Sequence, residues 1–224
     1  MAQSLTELTV EEFVRKVLAG ERDFTNTRFA PGTDLSMNAA YAELVVYLQG
    51  QDLRNSPVVA DGVDWRGLIA PRLVITAKLA GADLTGADLR DAEVTRCDLS
   101  GASLEGADLR GANLSVSRCM KANLSGARLQ RADLYEVNFS EASLRNADLT
   151  GAIALKVGLR GTDLTDAIFT DVDLYRADLR GAIGLDATRD LGSAHFHHTV
   201  VTPREHAIVN GFLQARPLFD IKEE

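Results

Sequence analysis

The 224-residue sequence has no long hydrophobic run, since its longest, Leu44–Leu48, is far too short to cross a bilayer. Its first residues lack the basic-then-apolar pattern of a signal segment. Cysteine is scarce, and we expect Cys97 and Cys119 to be small buried thiols rather than a disulfide. These absences favour a cytoplasmic protein that does not contact a membrane.

Recognisable catalytic patterns are also missing from the sequence. It has no G-x-x-x-x-G-K-[S/T] phosphate loop, and its glycines recur at regular steps instead. Most of the aspartates, such as Asp83 and Asp88, occupy repeating positions where a polar, outward-facing residue is needed. We therefore expect that the protein is not an enzyme and needs no cofactor.

What the sequence does have is a five-residue period. From Leu79 to Gly184 it runs through 22 pentads without a gap, and 16 of the 22 central residues are Leu. The residue two before the centre is Ala in 16 pentads and otherwise small or β-branched. This period fits neither a helix nor a long strand. In a short extended segment, residues two apart share a face, so the Ala and Leu positions point inward.

Glycine often follows the centre by two residues, as at Gly86 and Gly101. A type II turn requires a positive φ at such a position, and glycine adopts it without steric cost. The pattern therefore predicts a corner after each pentad.

The segments Ala82–Gly86 and Ala107–Gly111, with the pattern A-D/N-L-x-x, resemble the pentapeptide-repeat family. The resemblance implies an all-β solenoid, a right-handed quadrilateral parallel β-helix with four pentads in each coil. Such a helix leaves unpaired strand edges at both ends, so we expect short α-helical caps there.

Both ends of the sequence contain capping boxes. Thr9 and Glu12 begin one predicted helix, which ends at Gly20, and Thr202–Glu205 begins another, with Pro203 at its first position. The second helix either folds over the last coil or forms a homodimer. Its predicted apolar stripe, which ends before Pro217, consists of Ala207, Ile208, Gly211, Phe212 and Ala215.

We divide the chain into an N-terminal capping helix (1–21), degenerate repeat coils (22–76), the regular repeat (77–185) and a C-terminal tail (186–224). Residues 33–76 allow two interpretations, a short amphipathic helix that ends at Gly50 or a degenerate coil. The residues at helical spacing there are Met37, Ala40, Tyr41, Leu44, Val45 and Leu48.

With four pentads in each coil, residues 20 apart stack on one wall, about 4.8 Å from each other. One column places Tyr135, Leu155 and Tyr175 in line, with Ile153 on the same wall. An apolar strip on a polar rod predicts a partner-binding surface. Two alternatives remain open. The space left by Ala154 lets a local bulge turn Leu155 or Ile153 inward, or the C-terminal tail covers the wall.

All four histidines lie close together in the tail, where neutral imidazoles are candidate ligands for Zn, Ni or Cu. The alternative is a polar loop that leads into the second helix, and we predict no metal site. The candidate ligands would be His195, His197, His198 and His206.

The leading functional hypothesis is a non-enzymatic scaffold or interaction module that binds an unidentified protein through an outer wall. One alternative, implied by the resemblance, is a DNA-mimicking protein that binds and protects gyrase, and another is metal binding through the histidines. Residues 77–184 carry 16 acidic and 13 basic side chains, a weak charge for a DNA mimic. The same mild negative charge argues against direct nucleic-acid binding.

Overall fold

The computed structural model describes residues 5–212 and the backbone of residues 222–223. Most of this length forms a parallel β-helix, in which isolated parallel bridges join successive coils. Between Lys78 and Ile183 the bridged residues lie 20 positions apart, and bridges recur at every fifth residue. A coil therefore contains four pentads, as the resemblance implies.

The segments that qualify as strands are two residues long, and all of them pair in parallel. They are β1 (Thr6–Glu7) with β2 (Thr27–Arg28), β3 (Val58–Val59) with β5 (Ala77–Lys78), β4 (Val74–Ile75) with β6 (Glu93–Val94), and β7 (Val200–Val201) with β8 (Lys222–Glu223). The helices are α1 (Val10–Leu18), α2 (Tyr41–Gln49) and α3 (Pro203–Phe212). Short 3₁₀ turns cover Leu35–Met37, Leu185–Ala187 and Leu191–Ser193.

The core is the column of central residues together with the small residues two positions before them. Leu104, Leu124 and Leu144, which are 20 residues apart, are all buried, as the five-residue period predicts. Burial of each Leu side chain contributes about 1.5–3 kcal/mol relative to exposure. The backbone ladder is continuous around them: the N–H of Leu109 donates to the Arg128 carbonyl at 2.8 Å.

Each pentad ends in a tight turn whose third residue has a positive φ. In the turn Leu99–Ala102, the Ala102 N–H donates to the Leu99 carbonyl at 3.0 Å, and Gly101 has φ 68°. The predicted corners are thus confirmed. Lys121 (φ 59°) and Glu141 (φ 61°) occupy the equivalent corners of the next coils. The left-handed conformation is therefore required by the position, whether or not it holds glycine.

Helix α1 lies over the aromatic centres of the first coils. Its capping box is present, since the Glu12 N–H donates to Thr9 Oγ1 at 3.2 Å and the Thr9 N–H donates to Glu12 Oε2 at 3.0 Å. Phe13, on the buried face of α1, packs against three rings at centroid distances of 4.9, 5.3 and 5.9 Å, those of Phe24, Phe29 and Trp65.

Of the two interpretations for residues 33–76, the short helix is the one observed, as α2. Bridges join Asp23 to Val59 and Asp34 to Ile69, so this coil carries an insertion of roughly 15 residues relative to a regular coil, and α2 lies within it. Helix α2 contacts β4 and buries Leu44 and Leu48. It is further tied to the coil by the Tyr41 hydroxyl, which donates to the Pro71 carbonyl at 2.9 Å.

The coil continues beyond residue 185, where the sequence analysis ended the repeat. Bridges join Ile168 to Arg189, Asp173 to His195 and Asp178 to Val200, with steps of 21 and 22 residues. The residues added near the two C-terminal 3₁₀ turns shift the register, and a fixed five-residue count does not follow that shift. The buried residues Phe196 and Val201 fill the interior of this last coil.

Helix α3 begins at Pro203, and the N–H of Thr202 donates to Glu205 Oε2 at 2.8 Å. The predicted apolar stripe is not the buried face of this helix. The residues that α3 buries are Glu205 and Val209. The bond from Thr202 holds Glu205 inward, and Val209 follows it by one helical turn. Of the stripe, Ala207, Gly211 and Phe212 are exposed and Ile208 is half-buried, while Ala215 and Pro217 lie outside the described residues.

Candidate partner-binding wall

We call the surface formed by Tyr135, Ile153, Leu155 and Tyr175 the tyrosine wall. Its backbone is held by the coil ladder: the Glu136 N–H donates to the Leu155 carbonyl at 3.0 Å. In the following coil the Lys156 N–H donates to the Tyr175 carbonyl at 2.7 Å. The three large side chains that follow the centres therefore stack in one column, as the 20-residue spacing predicts.

The same column extends one coil further than the sequence analysis placed it. The Arg176 N–H donates to the His197 carbonyl at 2.8 Å, and His195 forms a bridge with Asp173. His195 and His197 therefore occupy the outward positions of this coil on either side of the buried Phe196. The spacing of these two histidines is that of the outward positions of a pentad.

Local hydrogen bonds hold the backbone at the two tyrosines. The Tyr135 N–H donates to Asp133 Oδ1 at 2.9 Å, and the Tyr175 N–H donates to Asp173 Oδ1 at 3.0 Å. The intervening coil has Ile153 at the position of these aspartates. An isoleucine side chain cannot accept this bond, and 46% of Ile153 is exposed to solvent. This position therefore gives up a local hydrogen bond and presents an apolar side chain to water instead.

Cationic side chains lie against both tyrosine rings. Lys156 Nζ is 2.9 Å from the Tyr135 hydroxyl and 5.0 Å from the centre of its ring, and it also contacts Glu136 Oε1 at 2.8 Å. The guanidinium of Arg176 lies 5.2 Å from the Tyr175 ring centre. Both tyrosines are half-buried, and these contacts further restrict their rings.

The hydrogen bonds around Lys156 shift the pKa of both ionised groups toward the charged form. The bond from Lys156 lowers the pKa of Glu136, and the bond to Glu136, helped by that to Tyr135, raises the pKa of Lys156. Both side chains are exposed. At neutral pH the tyrosine wall therefore presents a fixed pair of opposite charges beside its aromatic rings.

The bulge that the sequence left open does not occur. Ala154 is buried at the centre of its pentad, and its N–H donates to the Asp173 carbonyl at 2.9 Å, so the ladder is regular at this point. Ile153 points outward and Leu155 is half-buried. The other alternative, that the C-terminal tail covers the wall, concerns residues that lie partly outside the described ones.

The histidine candidates do not converge on one point of the fold. His195 and His197 are exposed on the coil, His198 lies at its corner with its ring centre 5.6 Å from that of Tyr175, and His206 belongs to α3. Within the described residues, no group of three or more His, Cys, Asp or Glu side chains is arranged to hold a metal ion.

Both cysteines lie in the core, as expected from their inward positions. Desolvation raises the pKa of Cys97 to about 12 and raises that of Cys119 as well. Thiols of this kind remain protonated at neutral pH, and the thiolate is the nucleophilic form. Their environment is therefore that of structural core residues.

One surface feature was missed by the sequence analysis, a cleft lined by basic residues at the N-terminal part of the coils. Its volume is about 380 Å³. The signal in the sequence is the position of each arginine within its pentad. Arginines two residues after an aspartate, such as Arg90 and Arg110, pair with that aspartate, whereas Arg96 and Arg118 occupy other positions.

No helix in the described part of the chain, residues 5–212 and 222–223, has the length and apolar character needed to cross a membrane. A search of curated protein sequences gave no significant match.

Solved structures give three comparisons. A trypsin-treated form of QnrB1, a plasmid-mediated fluoroquinolone resistance protein, has 18% identity and a TM-score of 0.49, covering 88% of this chain and 90% of its own. HetL from Nostoc sp. strain PCC 7120, involved in the regulation of heterocyst differentiation, has 22% identity and a TM-score of 0.37, covering 87% and 97%. A thylakoid-lumen protein of Arabidopsis thaliana has 33% identity and a TM-score of 0.31, covering 42% and 66%.

The family comparison agrees with the geometry of the coils. Pentapeptide repeats match in eight copies, over residues 77–115, 117–153 and 159–183. These are the residues whose bridges recur every 20 positions and whose central side chains fill the core. The repeat region of the chain, residues 77–183, therefore belongs to the pentapeptide-repeat family, whose fold is a right-handed β-helix.

Proposed function

We propose that this protein is a non-enzymatic interaction module that binds a partner protein through the tyrosine wall. The observation that carries the proposal is the exposed Ile153, which stands between two coils where an aspartate fixes the backbone of a tyrosine. Exposed apolar and aromatic side chains grouped on one face are typical of protein-binding surfaces.

The chemistry of the wall suits a protein partner. Tyrosine supplies a large contact area with a polar end, and the contacts from Lys156 and Arg176 hold both rings before any partner arrives. Restricting side chains in advance reduces the entropy lost on binding. The coil backbone beneath the wall is joined by hydrogen bonds to both neighbouring coils, which makes the surface rigid.

The arrangement of charges does not favour the gyrase-binding alternative. Several aspartates that a DNA mimic would present as phosphate-like charges are instead neutralised within their own pentads, as in the pair Asp88–Arg90 at 2.7 Å and the pair Asp108–Arg110 at 2.6 Å. Metal binding through the histidines has no support from the geometry of the described residues. Neither alternative is proposed.

The proposal is tested by protein capture from a native-host lysate with the tagged full chain as bait. The variant Ile153→Asn should abolish capture of the specific partner, because it removes the apolar side chain from the centre of the wall. It should leave the thermal midpoint at least as high as in the wild type, since Asn113 already accepts an equivalent backbone bond from Ser115 at 2.9 Å.

A matched control is Ile183→Asn, which makes the same change at an equivalent outward position of another wall, where 57% of the isoleucine is exposed. Capture of the partner by Ile183→Asn should equal that by the wild type, whereas capture by Tyr135→Ser and by Tyr175→Ser should be reduced. Equal capture by the wild type and Ile153→Asn would remove the tyrosine wall as the binding surface.

The proposal also includes the cross-section of the coils and the role of the helices at their ends. We infer that the coils are quadrilateral and that α1 and α3 cap the two ends, which would prevent end-to-end association of exposed strand edges. The support is the packing of Phe13 on the first coils and the contacts of α3 with the C-terminal 3₁₀ turns. A homodimer through the tail stays a prediction, and sedimentation analysis of the full chain tests it.

A further inference from the structure

The basic cleft is lined by four cationic side chains and one carboxylate over a partly apolar floor. Its volume of about 380 Å³ lies within the usual range for ligand-binding clefts. Apolar residues of the floor include Pro57, Ala77 and Val116. The charged residues are Arg54, Lys78, Arg96 and Arg118, with Asp98 as the carboxylate.

These four cations differ from the arginines that pair with an aspartate, such as Arg90 and Arg110. Within the described residues, none of the four side chains forms a hydrogen bond or an ion pair, and all four are exposed. Asp98, which lies among them, accepts a hydrogen bond from the Ser100 N–H at 3.1 Å instead. On a chain with a net charge of −8, this cleft is a local concentration of uncompensated positive charge.

A second cleft of similar size shows that this arrangement is not a general consequence of the fold. That cleft has a volume of about 420 Å³ and is lined by Arg90, Arg110 and Arg131 together with Asp91. There Arg90 and Arg110 are each held by the aspartate two residues earlier. In the second cleft two of the three arginines are therefore held by ion pairs, whereas none of the four cations of the basic cleft is in an ion pair among the described residues.

The direction of the cleft indicates the form of its ligand. Lys78, Asp98 and Arg118 occupy the same position in three successive coils, so the outer two lie about 10 Å apart along the axis. An extended anion with spaced charges fits this length. A compact phosphate would bring its negative charge against Asp98, whereas a peptide backbone provides neutral N–H donors for that carboxylate.

We propose that the basic cleft binds an acidic segment of a protein, with glutamate or aspartate side chains on the four cations. Main-chain N–H groups of the bound segment would donate to Asp98, and its aliphatic carbons would lie on Pro57 and Val116. Arginine suits this role because its planar guanidinium forms paired hydrogen bonds with carboxylates. The site is separate from the tyrosine wall and does not depend on it.

The test measures the fluorescence anisotropy of a labelled hexaglutamate peptide, titrated with the full chain at low salt. Saturable binding is expected, which weakens as salt is raised because the contacts are exposed ion pairs. The double variant R96A/R118A should weaken binding by at least about tenfold, as expected for the loss of two charge-assisted contacts.

The matched control is R131A/R160A, which removes the same net charge from exposed arginines outside the basic cleft. Its affinity for the peptide should lie within about twofold of that of the wild type. Equal loss in both double variants, absence of saturable binding, or tighter binding of inorganic pyrophosphate than of the peptide would each overturn the proposal.

Discussion

Lys156 lies across the coil boundary from Tyr135, with its Nζ 2.9 Å from the tyrosine hydroxyl and 5.0 Å from the ring centre. The two residues are 21 positions apart in the sequence, one more than a full coil. A residue at a corner thus reaches the outward side chain of the previous coil. Such contacts between corner and wall organise the surface without involving the core.

The first prediction concerns this contact. Lys156→Met should leave the thermal midpoint nearly unchanged, because the contact is exposed to solvent, but it should increase the motion of the Tyr135 ring. Relaxation of carbon-13-labelled tyrosine side chains measures that motion. Lys121→Met is the control, since Lys121 is a corner residue of another wall whose contact with Glu141 is 3.6 Å long. An unchanged Tyr135 signal would show that the lysine does not order the ring.

The second prediction concerns a corner whose residue is β-branched although its backbone has a positive φ. Val116 has φ 62°, a region that is costly for a β-branched residue. Val116→Gly should raise the free energy of unfolding by about 1 kcal/mol. Gly106→Ala, at a corner with φ 64° and open space around it, should lower it by about 1 kcal/mol. Urea denaturation measures both, and a change of the same sign in both would contradict the argument.

The third prediction concerns the N-terminal end. Phe13 is 3% exposed and packs on the rings of Phe24, Phe29 and Trp65. Phe13→Ala should lower the free energy of unfolding by about 3–5 kcal/mol through the cavity that it leaves. The exposed Glu11→Ala on the same helix should change it by less than about 0.5 kcal/mol. Chemical denaturation measures both, and equal effects would show that α1 does not stabilise the coils.

The fourth prediction concerns acid. The hydrogen bond from the Arg90 side chain lowers the pKa of Asp88, against the opposing effect of burial. A carboxyl whose pKa is lower in the folded state stabilises the fold above its unfolded pKa, about 3.9, and loses that effect as the pH falls through its folded pKa.

Unfolding free energy should therefore decrease below about pH 4, and the decrease should be smaller in Asp88→Asn. As an ion pair near the surface, Asp88–Arg90 contributes about 0.2–1 kcal/mol. Urea titrations at pH 7 and pH 3 measure the difference. An identical pH dependence in both proteins would show that this pair does not contribute.

The interior of the coil could be predicted from sequence because each pentad repeats one local rule. Ala102 and Leu104 are two residues apart in an extended segment, so both must face inward, and both are buried. The capping box at Thr9 and Glu12 was equally accessible, since its hydrogen bonds involve residues three apart. The tyrosine wall could be located because a 20-residue coil places Tyr135, Leu155 and Tyr175 in one column.

The last coil, the buried face of α3 and the basic cleft could not be predicted, because they depend on contacts between residues that have no regular spacing in the sequence. The last coil extends to Val200 through extra residues that change the register, and the buried side of α3 is set by the contact of Glu205 with Thr202. The basic cleft is lined by both Arg54, which follows the helix-containing insertion, and Arg118, which lies several coils further along the chain.

The sequence alone determined the coil: a period of five with small and bulky inward residues has one efficient way to bury its aliphatic side chains, and every step of that argument is local. Tertiary structure decided which of the arginines without an aspartate in their own pentad are neutralised, because such pairs depend on the positions of side chains in neighbouring coils. Arg118 and Arg128 occupy the same position in their pentads, each one coil after an aspartate, yet of the two only Arg128 forms an ion pair, with Asp108 at 3.4 Å. Burial follows from the local pattern, whereas surface charge follows from the three-dimensional arrangement.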